Sequence, residues 1–334
     1  MKYYYQVEGD LRNNIGDVLQ GMVAKPFLPD GCLVADRETL ALLDPITPSL
    51  LIANGWYMHS FDNFPPPDNI TPVYLSVHIA QSKLLKSAAV RSHFKKHAPI
   101  GCRDDKTLKL FLGWGIPAYY SSCLTTTATA RAPINNTGNG EILLVDNVDH
   151  PIPDEVKSKL ETLLGHKMIR VSHDPPDTQG SFEQYVNNAE AHMESLLKRY
   201  CNAALVVTTK IHCALPCLGM GANVMIIHPN PADPRLATVA EFIDILSYED
   251  IIKATDLKRP SVKKEALKAR QQFLSNIVNK SITSKNNIVK VSKDPIFSKM
   301  RSKANLSALA YSLVINLLVK TGLAGEHIKR VYGN

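Results

Sequence analysis

The sequence predicts an α/β fold of two Rossmann-like domains facing a cleft, and three stretches carry that expectation. Residues 99–121 run strand, Arg103-Asp104-Asp105, helix, Gly115-Ile116-Pro117, strand, the βαβ grammar of a parallel sheet. Ala204 to Ile227, ALVVTTKIHCALPCLGMGANVMII, repeats it as apolar strand, polar turn, short helix and strand. Between them Thr125 to Gly140 is small, polar and turn-rich without an apolar period, and reads as the join between domains at 1–130 and 131–300. The last part, 301–334, reads as a closing helix that packs back on the first domain.

A chain of 334 residues with 45% hydrophobic composition can bury two ordinary cores. Its formal charge of +7 suits phosphate-bearing partners, but the 38 Lys and Arg are scattered apart from short clusters such as Lys95-Lys96 and 258–264, so nucleic acid is not expected. No apolar stretch follows a basic start, Met1 to Gln6 reads as the first strand of a folded domain, and cytoplasmic residence is the default. The six cysteines, at 32, 102, 123, 201, 213 and 217, contain no CxxC pair, which argues against a zinc ribbon or a disulfide framework. Cys213 and Cys217 share a helix face, but without a second pair of ligands they read as buried small residues.

In chain order, Asn13 to Leu28 gives a turn holding Gly16 and then an amphipathic helix. In the loop Asn14-Ile15-Gly16-Asp17 the glycine admits close approach of backbone to a ligand, or Asp17 simply caps the helix, and both readings stay open. Glu38 to Leu43 reads as a short helix. Pro48 to Ala53 is a buried strand that ends on Asn54-Gly55-Trp56 and reaches His59, and Pro72 to Ile79 is a strand whose distal half carries Ser76 and His78. Carboxyl ends of parallel strands face the ligand crevice, so Asn54, Trp56, His59 and His78 are cleft candidates; the competing role for a histidine in an apolar strand is a hydrogen-bonded core residue. Lys83 to His97 is a basic helix. Arg103, at a strand end, offers a fork for carboxylate or phosphate, against the alternative of a surface pair with its neighbouring aspartates.

The second half begins with strand Glu141 to Val145, helix Asp154 to Leu164, strand Lys167 to Ser172 ending at His173, and the long amphipathic helix Phe182 to Tyr200. Strand Ala204 to Val207 follows, with Thr208 and Thr209 as helix cap and Gly219 and Gly221 as the stop. Lys210 and His212 therefore sit at a helix start, where backbone N–H groups and the helix dipole favour an anion. A cation and a titratable imidazole there point to an anionic substrate. His228-Pro229-Asn230-Pro231 is a rigid loop at a strand end, and Lys263 to Val278 a charged helix. Leu306 to Leu318 is apolar on nearly all sides yet too short to span a bilayer, so it reads as a buried helix; Lys320, His327, Lys329 and Arg330 after it leave peripheral contact with anionic lipid at the inner face of the membrane as a second expectation.

With Asn14-Ile15-Gly16-Asp17, then Arg103-Asp104 with Thr107 and the Gly115-Ile116 turn, then Lys210-Ile211-His212 before a small-residue helix, the chain resembles the polysaccharide pyruvyl transferase family over about residues 13 to 228. The resemblance implies a GT-B-like two-domain fold and no metal or cofactor, with phosphoenolpyruvate as co-substrate. It implies transfer of the pyruvyl unit as a cyclic ketal onto a sugar of an exopolysaccharide or cell-envelope glycan, or of its lipid- or nucleotide-linked precursor. It also implies that Arg103, Lys210, Ile211 and His212 form the donor site, with His212 a general acid whose pKa suits neutral pH. Where the family usually reads Arg-Leu-His this chain reads Lys210-Ile211-His212; lysine keeps the charge but loses the bidentate fork, so it would hold phosphate as a point charge does. Two other readings stand beside this one: a nucleotide-sugar glycosyltransferase on the same fold, and a glycan-binding module without catalysis, for which Trp56, Tyr57 and the missing arginine speak.

Overall fold

A computed structural model describes residues 1–9, 12, 14–59, 61–80, 85–135, 137–147, 151–175 and 179–283. Six strands, β1 (Lys2–Val7), β2 (Leu33–Asp36), β3 (Ser49–Tyr57), β4 (Ile70–Ile79), β5 (Ile100–Cys102) and β6 (Ala118–Tyr120), pair in the order β2-β1-β3-β4-β5-β6, each pair parallel. Five more, β7 (Ile142–Val145), β8 (Met168–Arg170), β9 (Leu205–Thr208), β10 (Val224–His228) and β11 (Leu246–Ser247), form a second parallel sheet in the order β11-β10-β9-β7-β8. The α-helices among the described residues are α1 (Ile15–Met22), α2 (Ala88–Lys96), α3 (Asp105–Gly113), α4 (Asp154–Leu164), α5 (Phe182–Asn202), α6 (Ile211–Met220), α7 (Ala237–Ala240), α8 (Tyr248–Lys253) and α9 (Lys264–Thr283). The fold is thus mixed α/β with two parallel sheets. Strands such as β3 and β9 are apolar nearly throughout because a parallel sheet is covered on both faces.

The strand order of each sheet reverses once, between β1 and β3 in the first and between β7 and β9 in the second. At such a reversal the crossovers leave on opposite faces, which opens a crevice outside the carboxyl ends of the strands. The first opens towards the start of α1, the second towards residues 210–212. Tyr5, Val7, Ile15, Val18 and Leu19 from the first half belong to one hydrophobic cluster with Leu143, Val206, Ala214 and Leu218 from the second. Helix α1 packs against both α5 and α6 within it.

The segment 125–140 does join the two sheets, and its beginning is buried. Leu124–Thr127 is a 3-10 turn in which Thr125 and Thr126 are wholly inaccessible. Gly219 packs on it from inside α6, where an added Cβ would come 2.4 Å from the carbonyl oxygen of Thr126. Only Gly221, left-handed at φ +80°, ends the helix, so Gly219 serves packing instead. Helix α9 closes over this seam: Gln271 Nε2 donates to the carbonyls of Thr126 (2.8 Å) and Gly219 (3.2 Å), and Arg270 pairs with Glu241 at 2.7 Å while lying over the Tyr120 ring. The expected closing helix at 306–318 and the basic residues after it lie outside the described residues.

Local differences from the expectations have local causes. Asn14, not Asp17, caps α1, its side chain accepting the Gly16 N–H. Strand β3 continues through Asn54-Gly55-Trp56 to Tyr57 because a bulge at Ala53/Gly55, with Gly55 at φ +110°, carries the ladder on. Helix α2 begins at Ala88, capped by Ser87. No helix among the described residues is long and apolar enough to cross a membrane.

Candidate active site

The second reversal holds the densest group of candidates. Thr208, the last residue of β9, donates through Oγ1 to the carbonyl of Val145 (2.7 Å) and accepts the N–H of Lys210 (3.0 Å), tying the turn to β7. Lys210 occupies the N-cap position of α6 without a capping side chain, so Thr208 supports the helix start from two residues away and Thr209 does not cap it. Lys210 Nζ lies 3.6 Å from the carboxylate of Asp174, which aims the ammonium across the strand ends. Ile211 is half-buried against the shared hydrophobic cluster.

His212 is half-buried, and its Nε2 is inaccessible with no hydrogen-bond partner among the described residues. Burial, the nearby Arg103 charge and His173 push its pKa well below 6.5. The sequence reading of an acid already poised for neutral pH is therefore corrected: these surroundings keep the imidazole neutral, and only added negative charge would draw a proton onto it. A buried ring nitrogen left without a partner costs about 1–3 kcal/mol.

The first reversal meets it from the other side. Gly16 lies against His212, so that a Cβ at position 16 would come 2.8 Å from Nδ1 and 2.9 Å from Cβ of the histidine. The glycine leaves room for a side chain of the opposite half. Asp17 is half-buried; burial pushes its carboxyl up, Arg37 at 4.0 Å opposes that, Glu8 adds to it and Arg103 opposes it again. Gln20, one turn on, is buried and carried no signal in the sequence. Its Nε2 donates to Asp17 Oδ1 (2.6 Å) and the Gly16 carbonyl (3.2 Å), and its Oε1 accepts from Arg103 Nη1 at 3.4 Å.

Arg103 is held by its own N–H, which donates to the Val77 carbonyl at 2.8 Å. Among the described residues its guanidinium has no carboxylate within ion-pair distance, so the surface pair with its neighbouring aspartates is not what it makes. Asp104 instead caps α3, accepting the N–H (2.9 Å) and hydroxyl (3.2 Å) of Thr107, and takes His78 Nδ1 at 2.5 Å. Burial raises the Asp104 carboxyl, but His78, the Thr107 N–H and Arg103 outweigh it and hold the carboxyl below its ordinary range.

The remaining candidates divide. Trp56 is the register partner of His78 on the neighbouring strand, and its half-buried ring carries the Arg37 guanidinium at 5.3 Å and the His59 ring at 4.3 Å. Asn54 is interior, donating to the Gln20 carbonyl at 2.6 Å and accepting Gln6 through its own carbonyl at 2.7 Å, so it braces β3 against α1 and β1. Tyr57 is wholly buried with its hydroxyl on Gln6 and presents no ring to a glycan. His173 is 2% exposed near Lys210, its pKa pushed down to about 3 by burial and by Lys210. His228 is bonded within its own loop, its Nδ1 lying 2.8 Å from the carbonyl oxygen and 3.1 Å from the backbone nitrogen of Asn230.

A comparison with curated proteins finds no match. A family model described as polysaccharide pyruvyl transferase does match, over residues 14–230, a span that takes in Asn14 to Asp17, Arg103 with Asp104, and Lys210 to His212, the three motifs that converge between the two sheets. The chain belongs to the polysaccharide pyruvyl transferase family and is accordingly a transferase.

Proposed function

We propose that the chain moves the pyruvyl unit of phosphoenolpyruvate onto two hydroxyls of a sugar, in a polysaccharide or its carrier-linked precursor, as a cyclic ketal. The reading takes the two sheets as the cores of Rossmann-like domains, 1–130 and 131–300, in a GT-B-like arrangement, working in the cytoplasm or at the inner membrane face. One observation carries it: a buried imidazole nitrogen of His212 without a partner among the described residues, beside Arg103 and on the helix that Lys210 begins.

Phosphoenolpyruvate brings a carboxylate and a phosphate. A guanidinium can take one bidentately, while an ammonium at a helix start, with its exposed N–H groups, suits the other. Their negative charge offsets the burial and the Arg103 field that hold His212 neutral, so substrate binding itself supplies the conditions for its protonation. His212 then hands the proton to the methylene carbon. The oxocarbenium-like centre that results accepts one sugar oxygen, the bond to phosphate oxygen breaks, and a second hydroxyl closes the ketal. The scheme draws on no metal or further cofactor.

Purified protein given phosphoenolpyruvate and galactoside, mannoside or N-acetylhexosamine acceptors is expected to release phosphate, and His212→Ala to abolish the release without loss of fold. Phosphoenolpyruvate, and not a sugar nucleotide, is expected to raise the melting temperature. The opposite ligand pattern would replace this donor with a nucleotide sugar.

A further inference from the structure

Ketal formation strips protons from two sugar hydroxyls, and His212, as proton donor to carbon, cannot accept one at the same moment. The base must come from elsewhere. His173 is buried, His228 is tied into its own loop, and His59 makes a ring contact with Trp56 while its backbone N–H donates to Glu38. His78 differs from all of them in having a carboxylate on one ring nitrogen, Asp104 Oδ2 at 2.5 Å from Nδ1.

Resting on the phosphoenolpyruvate reading above, we propose that His78 Nε2 takes the proton of the attacking sugar hydroxyl, and that Asp104 is the positioning residue that holds the ring hydrogen on Nδ1 and leaves the lone pair on Nε2. An ionised carboxylate only accepts hydrogen bonds, so Nδ1 must carry the hydrogen and the neutral ring keeps its lone pair on Nε2. Asp104 cannot swing away, because it also accepts the N–H and hydroxyl of Thr107, while the Thr107 hydroxyl accepts the N–H of Ile79, next to His78. The His78 side chain is 19% exposed, and no described residue hydrogen-bonds its Nε2. The pair is rigidly coupled to the donor clamp: Arg103 precedes Asp104 in the chain, and its N–H holds the carbonyl of Val77, which precedes His78. Trp56, the register partner of His78, sets an amphipathic ring beside it on β3.

The step balances. The hydroxyl O–H bond breaks, its proton goes to Nε2 and its oxygen bonds to the central carbon of the donor; when the bond from that carbon to phosphate oxygen breaks, Nε2 returns the proton to the leaving phosphate. The proton of the second hydroxyl leaves through the same nitrogen to solvent and replaces the one His212 gave to the methylene carbon.

The test uses the full chain. Asp104→Asn keeps a good helix cap and removes the demand for one tautomer. It is expected to lower kcat on the order of 10²-fold with the KM for phosphoenolpyruvate and the donor-induced rise in Tm unchanged. Ring ¹⁵N spectra are expected to show His78 protonated on Nδ1 in the wild type and as a tautomer mixture in the variant. His78→Ala is expected to lose about 10²–10⁴ in kcat and to recover part of it with added imidazole, and this variant alone carries the test if Asp104→Asn does not fold. Undiminished kcat in the folded variants, or a loss confined to donor binding, would overturn the assignment. A wild-type chain that releases no phosphate from phosphoenolpyruvate overturns the donor reading and this inference with it, whereas wild-type release with an unimpaired His78→Ala overturns this inference alone.

Discussion

Gly16 in the first turn of α1 lies against His212 in the first turn of α6, with room for no Cβ between them. Alanine at 16 would favour the helix by about 1 kcal/mol on propensity, so any loss must come from the contact. Gly16→Ala is expected to displace the imidazole, cut phosphate release at least about tenfold and destabilise the chain by about 1–3 kcal/mol through overpacking. Unchanged release at unchanged stability would show that His212 can move aside at no cost.

Because His212 is neutral until an anion arrives, donor binding should take up a proton. The sign follows from its pKa, which lies well below 6.5 in these surroundings and rises when phosphate and carboxylate sit beside it. Affinity for phosphoenolpyruvate is then expected to tighten as pH falls through neutrality, by up to about tenfold per pH unit. Calorimetry in buffers of different ionisation enthalpy reads the proton directly, and His212→Gln should abolish it.

Acid should destabilise the fold for a related reason. Burial is the first cause holding His93 down to about 3, His97 to about 4 and His173 to about 3, against 6.5 for an unhindered ring. Each depressed group leaves stability intact above pH 6.5 and takes it away as pH falls towards the folded value, since the unfolded chain binds the proton that the folded chain refuses. The slope is about 1.4 kcal/mol per pH unit for each group. Urea midpoints measured from pH 7.5 to 4.5 should fall accordingly, and a flat profile would mean that these rings reach solvent when charged.

Lys210→Arg replaces a point charge with a guanidinium fork that can bind an anion through two N–H groups. It is expected to keep turnover and to hold or tighten phosphoenolpyruvate affinity, measured as KM and as the donor-induced Tm shift. A collapse of binding would mean that the fork cannot fit beside Asp174, which lies 3.6 Å from the lysine.

Two glycines of α6 and its cap separate packing from backbone freedom. Gly219→Ala drives a Cβ into the Thr126 carbonyl and should lower the urea midpoint by the equivalent of about 1–3 kcal/mol or prevent folding. Gly221→Ala meets nothing within 4 Å and should cost only the left-handed backbone, about 1 kcal/mol.

What was legible in the sequence was what is written locally. Strands such as 142–145 and 205–208 are short apolar runs because parallel strands are buried on both faces, and the polar residues just past them, Arg103, Lys210 and His212, mark the carboxyl edge. Gln20 and Arg37 could not be read that way. Each matters only because the fold brings Gln20 of α1 to Arg103 just past β5, and Arg37 just past β2 to the Trp56 ring of β3, a relation between residues far apart in the chain. The threonines after Leu124 read as the start of a polar, turn-rich join, yet Thr126 and Thr127 satisfy their hydroxyls on the carbonyls of Cys123 and Leu124, both at 2.8 Å, so the beginning of the segment can be polar and buried together. The charge state of His212 depends on burial and on Arg103 across the interface, and no spacing encodes it.

The hydrophobic cluster that runs from Tyr5 and Val18 through to Ala214 and Leu218 makes the halves poor spare parts. A chimera that borrowed one half from a relative would press α1 against a foreign α5 and α6, and the contact of Gly16 with His212 would inherit the misfit. Trp56 and His59 stand outside that cluster. Substitutions at Trp56 and His59 would therefore disturb their contacts with Arg37 and Glu38 while leaving that shared cluster intact.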